Sequence, residues 1–202
     1  MNKVIIYLII SDILILGAFG LMSPIFAIFL SSGITGGSIV AAGTAATIFF
    51  LVKSVVQLPL SMYLDKKRSK MGFLIAGTFL VVLVPFAYAF SPSIGFIFGA
   101  QVLYALGAAM AYPAWFSMFT MHLDRKHRGL EWSLWSTGVG LGVALTAYLG
   151  AIVAKNLGFK TLFFLVGGLS FIGMLVLLLL SKKFLKQVEH GASLVRLKHQ
   201  KH

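Results

Sequence analysis

Two charged side chains stand inside long apolar stretches of this chain: Asp12, in the run from Val4 to Leu30, and Lys53, in the run from Ser38 to Met62. On insertion scales a charge at membrane depth costs at least ~2.5–3.5 kcal/mol, so each of them needs a partner or a task. A carboxylate at such a place can carry a proton, hold a cation or bond a solute, and an ammonium can hold an anion. Asp12 lies about eight residues from one end of its run and Lys53 about nine from the matching end of the next, roughly 12 and 13 Å at 1.5 Å per residue. Equal depth on consecutive antiparallel helices predicts a buried Asp12–Lys53 pair. It has two readings. One is a proton, ion or solute site; the other is a structural pair, or a Lys53 that snorkels to the headgroups. A permanent partner lysine would oppose proton coupling, because it holds the carboxylate charged. Gln101 is the third polar candidate, and Tyr112 and Trp115, flanking Pro113, are candidate cavity walls.

Other polar residues in apolar runs are read as helix–helix hydrogen-bonding groups: Tyr104, Ser117 and Thr120, then Ser136, Thr137, Thr146 and Tyr148. Trp115, Trp132 and Trp135 are read as an interfacial aromatic belt, with a cavity-facing Trp115 as the alternative. Enzyme chemistry has no support. All five histidines (His122, His127, His190, His199, His202) fall outside the apolar runs, there is no cysteine, and neither H-E-x-x-H nor G-x-S-x-G occurs. No metal site and no cofactor are expected.

The elements that carry these residues follow from composition. The chain is 59% hydrophobic and 11% charged, against about 25% charged residues in a soluble domain. That excludes a cytosolic globule and a disordered chain. About 20 apolar residues cross a bilayer, and six runs qualify: 4–30, 38–62, 71–90, 94–121, 132–154 and 161–181, joined by short Gly/Ser/Pro or charged turns. Residues 1–181 are therefore expected to form an all-α bundle of six transmembrane helices, and 182–202 a basic cytoplasmic tail. The first run is longer than a signal-peptide core and is read as a retained helix.

Of the 17 basic residues, all but Lys53, Lys155 and Lys160 fall at the N-terminus, in the second and fourth loops, or in the tail. The positive-inside rule then places both termini in the cytoplasm, in the plasma (inner) membrane. The net charge of +12 is a record of topology, with anionic lipid as a secondary partner and nucleic acid excluded. Gly138 and Gly142, and likewise Gly95 and Gly99, are small-xxx-small pairs expected to let helices approach closely.

The second loop reads Ser61-Met62-Tyr63-Leu64-Asp65-Lys66-Lys67-Arg68-Ser69-Lys70. It resembles the signature loop of the major facilitator superfamily, a glycine, then an aspartate four residues on, then several basic residues: Asp65 and Lys66 match, Ser61 stands for the first glycine and Arg68 for the second. Gln57-Leu58-Pro59-Leu60, Gly107-Ala108-Ala109, Arg128-Gly129 and Gly158-Phe159 are similar to family features in the same order. Leu103 stands where the family often has arginine, and Thr146-Ala147 where its antiporters tend to have Gly-Pro; both argue against drug/proton antiport. The resemblance implies a six-helix half, like the N-terminal one, built as two inverted three-helix repeats with the first and fourth helices lining a cavity. Ser23-Pro24-Ile25-Phe26 and Tyr112-Pro113-Ala114-Trp115 are a faint trace of that symmetry.

The implied function is secondary-active transport of a small solute, with H+ or Na+, by alternating access. A second six-helix half would complete it, as a parallel homodimer or as a separate protein. Asp65, Lys66 and Arg68 would then form a cytoplasmic gate between halves. The alternative is a non-transporting scaffold subunit or a truncated transporter half.

Overall fold

The computed structural model describes residues 1–67 and 69–199, with side chains through Ser181; Arg68 and the side chains of the predicted tail lie outside the described residues. Every regular element among them is helical. The order is α1 (Lys3–Gly20), α2 (Phe26–Ser32), α3 (Ile39–Asp65), α4 (Met71–Ala89), α5 (Ile94–His122) and α6 (Arg128–His199). Local chemistry sets the starts of α1 and α3. The Asn2 carboxamide oxygen accepts from the Val4 N–H at 3.0 Å, and the Ser38 hydroxyl oxygen accepts from the Ala41 N–H at 3.0 Å, each satisfying an orphan donor of a first turn.

The helix expected over the first apolar run is interrupted, forming α1 and α2. The chain leaves the α-helix at Gly20, tightens through bonds from the Met22 N–H to the Phe19 carbonyl and from the Ile25 N–H to the Met22 carbonyl, each 3.1 Å, and resumes at Phe26. Pro24 has no N–H to continue the ladder and its ring crowds the preceding turn. Pro113, by contrast, stays inside an unbroken α5, so the two segments paired in sequence differ locally.

Among the described residues, five helices are long and apolar enough to cross a membrane, the last being 54 residues at Arg128–Ser181. That stretch does not run straight. Gly158 sits at φ 80°, ψ 165°, a conformation essentially confined to glycine. Before it, Gly138 lies against Ile13, Gly142 against Gly17 and Gly150 against Leu21. After it, Phe163 packs on Phe29 and Gly173 on Ile15 and Ser11. The partners climb α1 and then descend it, so the two legs of α6 run opposite ways. A Cβ on Gly158 would meet no atom within 4 Å, so Gly158→Ala should cost backbone strain alone, about 1–3 kcal/mol. Thermal unfolding of the purified chain reads this as a lowered Tm; an unchanged Tm would mean the turn does not need this backbone.

α1 packs on both legs of α6 and on α5, α4 packs on α5 and α6, and α3 packs on α5 and α2. The buried core collects at these seams: Ile5, Leu8 and Ile15 of α1, Leu74, Val84 and Tyr88 of α4, Ile97 and Phe119 of α5, and Leu162, Phe163 and Leu177 of α6. Of the two predicted small-residue pairs, Gly138 and Gly142 do meet α1, whereas Gly99 has nothing within 4 Å and Gly95 only its own Ser93. The close crossing on α5 is at Gly107 instead, against Gly77 of α4.

Candidate functional site

α1 and the first leg of α6 run side by side, which brings Trp135 to Asp12. The indole N–H donates to the Asp12 carboxylate at 2.6 Å, a short, charge-assisted bond. Asp12 also lines a cavity of about 150 Å³ shared by four helices. Ser11 and Ile15 come from α1, Thr78 and Val81 from α4, Tyr104, Tyr112 and Trp115 from α5, and Trp135 and Leu177 from α6. A carboxylate therefore faces a space walled by aliphatic side chains and the four rings of Tyr104, Tyr112, Trp115 and Trp135. Such a space can hold a cation, through the charge and the π faces together, or a hydrogen-bond donor.

Trp115 is fixed in this wall. It is buried, stacks on Phe119 with centroids 4.7 Å apart, approaches Trp135 at 5.1 Å, and its N–H reaches the Leu8 carbonyl at 3.5 Å. Trp132 closes the cluster against Phe119 at 4.9 Å. The interfacial-belt reading is thus corrected for Trp115 and Trp135, which form an internal aromatic group around the carboxylate.

The predicted Asp12–Lys53 pair is not formed. Among the described residues the ion pairs are Lys70–Asp65 at 3.5 Å and His127–Asp124 at 3.1 Å. The reason is helix order around the bundle: α1 faces α6 and α5, whereas α3 packs on α5 and α2. The Lys53 ammonium instead sits 4.9 Å from the Tyr112 ring centroid and 5.8 Å from that of Phe49. Tyr112 also borders the Asp12 cavity, so one residue meets both the lysine and the space the carboxylate lines. Gln101 is separated as well. It is buried, and it lines a different cavity with Phe19, Met22, Phe49, Tyr88 and Tyr104. Tyr104 borders both spaces, its ring 5.3 Å from Phe19 and 4.5 Å from Phe49.

Of the proposed gate loop, Asp65 ends α3 and Lys66 caps it. Asp65 is paired within its own loop to Lys70, whose ammonium also donates to the Ser117 hydroxyl of α5 at 2.5 Å. The Asp65 side chain keeps 78% of its surface exposed, so it stays accessible to another partner. The loop before α6 is tied by its own acids. The Asp124 N–H donates to Glu131 at 3.0 Å, and the Lys126 N–H and the His127 ring hold the Asp124 carboxyl below the usual carboxylate range. Thr120 and Thr146 donate to carbonyls of their own helices, at 2.9 Å to Phe116 and Gly142, rather than across helices.

Residue reasoning missed Trp135 as the partner of Asp12. The usable signal was depth. Trp135 lies seven residues into a helix that starts on the same side as α1, close to the depth of Asp12.

Long apolar helices packed around a carboxylate in a largely apolar cavity define a polytopic membrane protein with an internal polar site. The chain belongs to the Major Facilitator Superfamily, whose family model matches residues 8–199. It is 26% identical over 149 residues to the staphylopine export protein of Staphylococcus aureus, covering 70% of this chain and 36% of that protein. It is 28% identical over 117 residues to the methyl viologen resistance protein SmvA of Salmonella typhimurium, covering 57% of this chain and 23% of that protein. The crystal structure of the POT family transporter PepTSo superposes with a TM-score of 0.76 at 18% identity, over 90% of this chain and 38% of that one. The chain thus spans about a third or less of the curated relatives it matches. The family is one of membrane transporters, not enzymes.

Proposed function

We propose that this chain is one six-helix half of a secondary transporter that exports a small solute by alternating access. The observation that carries the reading is the Asp12 carboxylate, held by Trp135 and facing a largely apolar cavity between four helices. In this reading the two legs of α6 are separate spans, which with α1–α2, α3, α4 and α5 makes six, as two inverted repeats of three. Both termini lie in the cytoplasm of a plasma-membrane protein, and the basic segment 182–202 extends from the bundle as a cytoplasmic tail. Outward transport of a charged solute agrees with relatives named for export and for resistance to methyl viologen.

The second half is a parallel copy of the same chain. Support comes from the flanks of the cavity. α3 exposes Phe50, Leu51, Val55, Leu58 and Met62, and the first leg of α6 exposes Leu141, Leu145, Tyr148 and Leu149. Lipid covers exposed apolar residues on any spanning helix, but α3 is far less buried along its span than the other long helices, which leaves it free to receive a matching half. Asp65, Lys66 and Arg68 would close the cytoplasmic side against that copy.

Because the chain has no cysteine, single-cysteine crosslinking is clean. Val55→Cys and Leu58→Cys should give a disulfide-linked dimer in membranes, and cells expressing the chain should accumulate less methyl viologen or staphylopine than controls. Monomers in every crosslinking experiment, together with no solute moved under any ion gradient in proteoliposomes, would leave the scaffold reading instead.

A further inference from the structure

Two cavities stand end to end in this bundle. The one at Asp12, of about 150 Å³, is lined by Asp12 and Leu16 on α1 and by Ala111 and Ala108 on α5. The second, of about 330 Å³, is lined by Phe19 and Met22 further along the first segment and by Gln101 on α5. On α4 the division repeats, with Thr78 and Val81 in the first and Tyr88 in the second. On each of these helices the two sets fall at opposite ends and never interleave, so the cavities are stacked along the bundle axis. Ala111 and Gln101 stand roughly 15 Å apart on the unbroken α5, at 1.5 Å per residue. Of the residues that line the two spaces, Tyr104 alone belongs to both.

We propose that Tyr104 is the internal gate of the solute path. In one rotamer its ring separates the Asp12 cavity from the second; in another it joins them into one passage along the bundle. This rests on the transport reading above and names the residue at which that path is closed. The ring lies in a plate of three, stacked on Phe19 at 5.3 Å and against Phe49 at 4.5 Å. A ring in a close-packed interior is held in one place, as Tyr88 is, buried against Phe26 and Phe163. Tyr104 differs in having a cavity on both sides. A helical tyrosine has two favoured χ1 wells, and a swing between them needs such space. Phe49 belongs to α3, the least buried of the long helices, so this neighbour can give way. The ring does the closing, since it is the wall the two spaces share, and truncating it at Cβ holds the passage open.

The test is sided labelling of single cysteines in the full chain, which has no cysteine of its own. The reagent is the membrane-impermeant trimethylammonium-ethyl methanethiosulfonate, added to sealed vesicles of either orientation. Ala108→Cys puts a thiol in the Asp12 cavity and Ser23→Cys puts one in the second. Each should react faster from one face of the membrane, and the two from opposite faces. Tyr104→Ala, added to either, should abolish that preference, and Tyr104→Phe should keep it. Tyr104→Leu retains apolar packing without the plate of the ring, guards against misfolding, and should show the same loss to a smaller degree. The proposal is overturned if either cysteine shows no preferred face while Tyr104 is present, or if both prefer the same face. It is equally overturned if the alanine and leucine variants keep the parent's preference, which would make Tyr104 a packing residue alone. Export of methyl viologen separates a gate from a fixed wall. Tyr104→Trp, too wide to swing, should keep the sidedness and stop export; export equal to the parent's overturns the gate. Sidedness that responds as expected in a chain that moves no solute would instead keep the partition and remove the transport reading.

Discussion

Gly77→Ala lowers the Tm of the full chain by roughly 6–12 °C, while Gly43→Ala leaves it unchanged or slightly raised. The same atom is added in both cases, and the surroundings decide the sign. A Cβ on Gly77 would stand 2.5 Å from the Ala111 backbone nitrogen and 2.6 Å from the Gly107 carbonyl oxygen. Both are backbone atoms of α5, so no side chain can rotate out of the way and α4 must back off as a body. Overpacking of this kind costs about 1–3 kcal/mol, and backbone collisions on two residues put Gly77 at the top of that range. For a chain of this length, 1 kcal/mol is worth about 2–4 °C. Gly43, in α3, has nothing within 4 Å of its Cβ position, so alanine there only restricts the unfolded chain. Gly107→Ala should fall with Gly77→Ala, since its Cβ would lie 2.8 Å from the Gly77 carbonyl oxygen. The double variant should lose less than the sum, because one separation relieves both collisions. The effect reaches function, because Thr78 and Val81 of α4 and Tyr104, Ala108 and Ala111 of α5 wall the Asp12 cavity. Equal Tm values for the two alanine variants would mean the helices do not cross at this point.

Much of this fold is legible from the chain. The ends of α3, α4 and α5 fall within a few residues of the apolar runs, because about 20 apolar residues are both what a bilayer requires and what the turns at Ser31–Gly37, Asp65–Lys70 and Ser91–Ser93 leave between them. The depth of each polar residue is legible too, since 1.5 Å per residue fixes position along the axis. Rotation about the axis is not. A span hydrophobic all round has no polar stripe to reveal which neighbour it faces, so Asp12 and Lys53 were matched in depth while pointing to different partners, Trp135 and Tyr112. The same blindness placed Gln101 with Asp12, although Tyr104 divides their cavities. Proline was ambiguous for a related reason. Pro24 breaks its helix and Pro113 does not, and the residue type is the same in both, since a proline within a membrane span can be tolerated or can break it.

On the proposed function, Asp12→Asn should cut solute export in cells and vesicles by about 10- to 100-fold, with the Tm nearly unchanged. Asparagine keeps the shape and an oxygen that can accept from the Trp135 N–H, so the packing around the cavity survives and only the charge is gone. A hydrogen bond to a charged group is worth about 1.5–3 kcal/mol, and tenfold in rate or affinity corresponds to about 1.4 kcal/mol. A carboxylate that holds the solute, or a proton exchanged for it, therefore commands an effect of this size. Trp135→Phe retains the charge but removes its fixed donor at 2.6 Å, and should cost about tenfold through loss of orientation. Lys53→Met removes only a cation resting on the faces of Tyr112 and Phe49, about 0.5–1 kcal/mol, and should stay within about fivefold. The order Asp12, then Trp135, then Lys53 separates the two arrangements. Were the ion pair at work, Asp12→Asn and Lys53→Met would each strand a buried charge or its partner, and the two would fall together. Unchanged export in Asp12→Asn would remove the carboxylate from the mechanism.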